Sequence, residues 1–186
     1  MSNKELRGKT QSMFDEAIRG VNEFIGKLRR FIGEFTKKER ATCSEEEIFS
    51  ILARDASRTA KRFFSMIISN GLLRSLVFAL NKTTVWTLEK SEKNEVPNGF
   101  NKAFKNIVEK KTLSDSDKWL IVLWYVLDYP LKEFLPSDIN TFAEELLNKL
   151  LRLKEPGEAK YALLEHKILI HLDILSKILA AYERAE

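Results

Sequence analysis

SMFDEAIRGVNEFIGKLRRFIGEFTKKER, residues 12–40, places Phe14, Ile18, Val21, Ile25, Leu28, Ile32 and Phe35 at alternating steps of four and three. Steps of that kind keep pace with the helical turn, so the seven side chains fall in one stripe. Phe24 and Phe31 widen it, and a broad apolar face belongs in a bundle rather than in a narrow two-stranded seam. Gly20, Gly26 and Gly33 lie inside the pattern, each costing about 1 kcal/mol relative to Ala. The helix must therefore lean on tertiary packing, and a kink or an early end is expected.

The same reading extends along the chain. Ser44-Glu45-Glu46-Glu47 has the form of a capping box, in which Ser44 accepts from an early backbone N–H and Glu47 reaches back to the cap. A helix follows to about Ile68, then Ser69-Asn70-Gly71 breaks the pattern, with Asn70 as the expected cap of a further helix through Leu72, Leu73, Leu76, Val77 and Leu80. Residues 81–99 are polar and end in Pro97-Asn98-Gly99, which predicts an exposed loop. Phe100 to Lys110 reads as a short basic helix. Ser114-Asp115-Ser116-Asp117 caps a buried run ending at Tyr129-Pro130, Pro136-Ser137-Asp138 opens another helix, and a last one runs from about Glu158 to Arg184. Tyr161, Leu164, Ile168, Leu172, Leu175, Leu179 and Tyr182 share one face of that helix, broadened by Leu163, Ile170, Ile174 and Ile178, so it is expected at the centre of the bundle. The fold class is all-α: a single-domain helical bundle of about six or seven helices over residues 1–186.

Composition excludes several functions. One cysteine, Cys43, supplies neither an internal disulfide nor a multi-thiolate zinc site. The longest apolar run, Trp119 to Leu127, has nine residues, about half of what a transmembrane helix needs. With a polar N-terminus, MSNKELRGKTQS, the expectation is a cytoplasmic protein. Gly8-Lys9-Thr10 resembles the end of a phosphate-binding loop, but Asn3 stands where that motif needs Gly. His166 and His171 are five apart on one helix, about 140° from each other, so they form no i, i+4 metal pair. The aromatic stripe of Phe14, Phe24, Phe31, Phe35 and Phe63 reads as core, as do Trp119 and Trp124, while Trp86 lies in the polar loop region. Nothing asks for a cofactor, a metal or an enzyme.

Charge is unevenly placed. Residues 1–40 hold ten Lys or Arg against six acids, residues 41–110 eleven against eight, and residues 111–186 ten against thirteen. The helix after Ser44 concentrates this bias. Ile48, Leu52, Ala56, Thr59, Phe63 and Ile67 form its apolar sector, while Arg54, Arg58, Lys61 and Arg62 occupy an opposing arc of about 100°. Only Asp55 approaches that arc. Four like charges repel, and an anion brought near would stabilise them; nucleic acid is the usual anionic partner. A solvated face, or pairing with an acidic neighbour, is the plainer alternative.

The stretch Lys61-Arg62-Phe63-Phe64-Ser65-Met66-Ile67-Ile68-Ser69-Asn70-Gly71-Leu72-Leu73-Arg74-Ser75-Leu76-Val77-Phe78 resembles the signature of the small all-helical subunit of the type III-B (Cmr) CRISPR effector complex. In that family a basic dipeptide precedes an apolar helix end, then a small-polar-Gly-Leu break, then a helix reading roughly Leu-x-Ser/Thr-Leu-x-Phe. The final amphipathic helix is similar in position and character. Phe64 departs from the Pro common there, and Ile174 to Ile178 lacks the Trp and paired cations of other members, keeping only Lys177.

The resemblance implies a non-catalytic role in antiviral defence. Such subunits stack head to tail in multiple copies beside a filament carrying the CRISPR RNA, and together they line the channel for the guide–target RNA duplex. RNA cleavage and nucleotide chemistry would belong to other subunits. The implied partners are those subunits, further copies of this chain, CRISPR RNA and target RNA. The implied contacts are Arg54, Arg58, Lys61 and Arg62, with Arg74 extending the surface beyond Gly71. Two other readings stay open: a helical adaptor that binds protein partners, and a small subunit of a related CRISPR interference complex.

Overall fold

The apolar stripe of the opening stretch forms one unbroken helix, α1 (Asn3–Glu39). It begins well before Ser12 and runs through all three glycines without ending. Two of them sit under neighbouring atoms: a Cβ on Gly20 would lie 3.0 Å from the Tyr129 ring, and one on Gly33 would lie 3.2 Å from the Glu45 carboxylate. The chain thus gives up helix propensity where close packing restores it. Gly26 has no such neighbour.

This computed structural model describes residues 3–39, 43–83, 99–135, 142–154 and 158–183. After α1 come α2 (Glu45–Asn70), α3 (Leu72–Lys82), α4 (Gly99–Lys110), α5 (Asp115–Asp128), a 3-10 turn (Lys132–Phe134), α6 (Phe142–Lys154) and α7 (Glu158–Glu183). The described residues contain no strand, and the architecture is an all-α helical bundle, as the periodicity implies. The loop expected at 81–99 falls, between 84 and 98, outside the described residues, as do Trp86 and the helix start at Pro136-Ser137-Asp138. No helix among the described residues is long and apolar enough to cross a membrane.

Helices α2 and α7 share the largest interface, and they run antiparallel. Phe49 meets Tyr182 edge to face at 5.1 Å, the Ser57 hydroxyl donates to the Ser176 carbonyl at 2.8 Å, and the Leu72 N–H donates to Glu165 at 2.9 Å. Helix α1 lies parallel to α7, with Glu16 paired to Lys167 at 2.9 Å and Arg29 over the Tyr182 ring. The most enclosed segment is α5, where every residue from Trp119 to Leu127 is buried. That continuous apolar run has no polar face because other helices surround it. Phe24 of α1 packs edge to face on Trp124 and Tyr125, and Phe63 of α2 packs on Trp119 in the same way. At the α1 N-terminal end the stripe outruns its cover, leaving Phe14 37% and Ile18 43% exposed. Phe14 is therefore not core, contrary to its place in the pattern.

Local chemistry sets the helix ends. The cap expected at Ser114 forms, and it does so as a complete capping box with Asp117. Ser44 accepts from the Glu47 N–H at 3.1 Å, but the Glu47 carboxylate turns instead to the Lys111 ammonium, so only half of that box forms. Lys111 closes α4 in the left-handed region, with φ 54°. Between α2 and α3 the hinge residue is Gly71, not Asn70, because the chain needs φ 77° there. Gly71 has no side chain to cap α3, and α7 supplies the acceptors: Glu165 for the Leu72 N–H, and the Tyr161 hydroxyl for the Leu73 N–H at 3.2 Å.

Candidate nucleic-acid interface

The outer edge of α2 carries the four cations singled out above, and burial of Leu52, Ala56, Phe63 and Ile67 on its inner face fixes that orientation. Each cation has its own surroundings. Arg54 is half-buried, and its Nε lies 3.3 Å from the carboxylate of Asp55. Asp55 is itself buried and also faces the Lys118 ammonium of α5 at 3.7 Å. One carboxylate thus compensates two cations, and Arg54 is the member least able to leave for another anion.

Arg58 stands out from the surface, its side chain 67% exposed, with Nη2 3.1 Å from Glu183 near the end of α7. A pair this open is screened by solvent and exchanges readily. Lys61 is exposed and has no ion-pair partner among the described residues. Arg62 is exposed as well, and its guanidinium lies 5.6 Å from both the Phe78 and Trp119 ring centroids. Cation–π contacts hold the guanidinium plane in place without neutralising it. The stripe thus offers Lys61 and Arg62 free of carboxylates, Arg58 in a loose pair, and Arg54 in a tight one.

Arg74 is exposed on α3, beside a shallow apolar groove formed by Leu73, Val77, Leu147 and Leu151. No hydrogen bond or ion pair among the described residues joins it to the α2 cations. The structure brings four of the five sequence-derived residues onto one edge and sets the fifth on the next helix. Sequence reasoning missed Lys118 and Glu183, which modify the stripe. Nothing in their local sequence distinguishes them, since both reach α2 through the fold.

Chemistry elsewhere is sparse. Among the described residues no group of three or more His, Cys, Asp or Glu is placed to hold a metal ion. The Cys43 thiol is buried and accepts from the Lys111 ammonium at 2.8 Å. Hydrogen bonds to Cys43 and then Glu47 raise the Lys111 pKa above the ordinary lysine value. His171, on the enclosed side of α7, shares a 2.7 Å hydrogen bond with the Tyr125 hydroxyl. Burial lowers its pKa to about 4, so the imidazole is neutral at pH 7. No family model matches the chain, nor does any curated protein or solved structure.

Proposed function

We propose that this chain is a non-catalytic structural subunit of a type III-B CRISPR RNA-guided effector complex, and that the outer edge of α2 lies against RNA phosphates in the guide–target channel. The observation that carries the reading is a coincidence of two independent features. Lys61 and Arg62, which open the stretch resembling the small Cmr subunit, are also the two cations of the stripe that no carboxylate neutralises among the described residues. A channel wall needs sequence-independent phosphate contacts, which position a strand without reading its bases. Exposed, unneutralised side chains on a rigid helix suit that task.

The test is affinity purification of the tagged chain from its native cells at moderate salt, with sequencing of the retained RNA. CRISPR RNA recovered with a set of larger subunits supports the reading. An Arg58→Glu, Arg62→Glu double variant should then lose target RNA while keeping its helical content and its partner subunits. Unaltered RNA retention by that variant would remove the assignment of the face.

A second reading has its own support. The groove between α3 and α6 exposes Val77 and Leu151 at 39% and 45%, with Ile68 nearby in sequence at 63%. Apolar surface of that kind fits an adaptor that binds protein. Recovery of proteins without RNA, abolished by Val77→Glu and not by the α2 double variant, would favour it.

A further inference from the structure

We propose that the cleft bounded by α1, the end of α5 and α7 binds a carboxylate, received by the buried imidazole N–H of His171 and the ammonium of Lys132. The cleft has a volume of about 430 Å³ and is lined by Glu16, Glu23 and Lys27 from α1, Asp128 at the end of α5, Tyr129, Lys132 and Leu135 after it, and His171 from α7. Volumes of this order accommodate small-molecule ligands.

Two buried polar atoms face this cleft, the Tyr129 hydroxyl and the His171 Nε2. His171 is 1% exposed, and its Nε2 has no hydrogen-bond partner. Its other nitrogen, Nδ1, is taken up by Tyr125. We assign the Tyr125 hydroxyl as the donor to Nδ1, since it has no other acceptor among the described residues, and on that assignment the neutral ring carries its own proton on Nε2. That leaves a buried N–H donor at the edge of the ring away from Tyr125, in a residue that lines the cleft. Buried donors are nearly always matched.

The remaining groups decide what matches it. The three acids are already engaged: Glu16 with Lys167 at 2.9 Å, Glu23 with Lys27 at 3.2 Å, and Asp128 with the Trp124 indole N–H at 2.9 Å. The Glu16–Lys167 and Glu23–Lys27 pairs cancel, which leaves the Asp128 carboxylate, held by the Trp124 N–H, and the Lys132 ammonium as the remaining charges of the cleft. Lys132 is exposed and has no ion-pair partner among the described residues. His171 and Lys132 thus offer donors, one neutral and one cationic, and the buried Tyr129 hydroxyl beside them can also donate, which together complement a single carboxylate. Gly20 shapes one side of the cleft. A Cβ there would press on Tyr129 at 3.0 Å and make only ordinary contact, 3.7 Å, with His171 Cε1, so glycine in mid-helix lets α1 close onto the Tyr129 wall of the cleft.

The carboxylate has two possible sources, a free small acid or the C-terminus of a polypeptide. Both are tested on the full chain by following the His171 Nε2–H and Trp124 indole N–H resonances. The probes are acetate, an N-acetylated tetraglycine with a free C-terminal carboxylate, and its C-terminal amide, with chloride at matched ionic strength as the baseline. Saturable shifts with acetate and peptide alike identify a small-acid site. Much tighter binding of the peptide, with the amide silent, identifies a chain terminus. Lys132→Ala, a surface change that leaves the fold intact, weakens either by roughly threefold, the size of an exposed charge pair; His171→Leu abolishes it.

The absence of saturable shifts beyond those of chloride, with the Nε2–H exchanging magnetisation only with water, overturns the proposal: an ordered water then fills the site. Binding undiminished in both variants overturns it equally. The Arg58→Glu, Arg62→Glu variant keeps carboxylate binding, so the outcome is independent of the RNA assignment.

Discussion

Replacing Lys61 by Ala removes the one cation of the α2 stripe that, among the described residues, is exposed, unpaired and free of aromatic contact. Its effect on RNA binding can be sized from the surroundings of each charge. Counting every basic residue singled out in the sequence gives five phosphate contacts, and a salt slope of about −3.5 at about −0.7 per phosphate for single strands. The structure reduces the count. Arg54 is committed to buried Asp55, and Arg74 stands on another helix, leaving Arg58, Lys61 and Arg62. Three contacts give a slope of about −2.1, so affinity falls about 18-fold between about 50 and about 200 mM salt, against about 130-fold for five. Lys61→Ala should lower the slope to about −1.4 and the fall to about sevenfold. Anisotropy of a labelled single-stranded RNA, titrated with wild type and variant at several salt concentrations, measures both slopes. Equal slopes for the two proteins would refute the reasoning, even if absolute affinities differed.

Other expectations follow from packing and protonation. Phe24→Ala empties a site ringed by Trp124, Tyr125 and Tyr129, and should cost about 3–5 kcal/mol in denaturant unfolding. Gly26→Ala meets no atom within 4 Å and should stabilise by about 1 kcal/mol, whereas Gly20→Ala should gain nothing because its new methyl presses on Tyr129. Since burial lowers the His171 pKa to about 4, the unfolded chain binds its proton first as the pH falls. Stability carried by the neutral ring is whole above pH about 6.5 and is lost progressively towards pH 4; the unfolding midpoint of His171→Gln should depend less on pH between 6.5 and 5. Ser114→Ala should cost about 1 kcal/mol, and Ser44→Ala less, because its box is only half made.

The elements that were legible in sequence are those whose cause is local. The seam of α1, the caps at Ser44 and Ser114, the break before Leu72 and the buried run of α5 all follow from spacing and side-chain type within a few residues. Local rules also misled where a distant element intervened. Glu47 would have closed its own cap had Lys111 not stood beside it, and Phe14 would be buried if the bundle extended to the first turns of α1. Asn70 has a capping side chain, yet the backbone demanded a positive φ one residue later, at Gly71.

The same distinction divides the candidate sites. The α2 stripe was visible as an angular sector, because 100° per residue is set by the helix alone. Its partial neutralisation by Glu183, and the arrival of Lys118 through Asp55, depend on how α5 and α7 dock. The cleft around His171 was not visible at all. Its walls come from separate helices, and the neutrality of the ring comes from their burying it.

The capping of α3 by α7 bears on how the protein is made. The first two N–H groups of α3 find their acceptors on Tyr161 and Glu165, and the principal partner of α2 is the last helix of the bundle. A ribosome releasing this chain from its N-terminus exposes α2 and α3 long before those partners emerge. The apolar face of α2 and the open start of α3 must wait, in contact with water or a chaperone, until the final helix is free. Fragments that stop before Glu158 should therefore be poorly cooperative and prone to self-association. The last helix closes the fold.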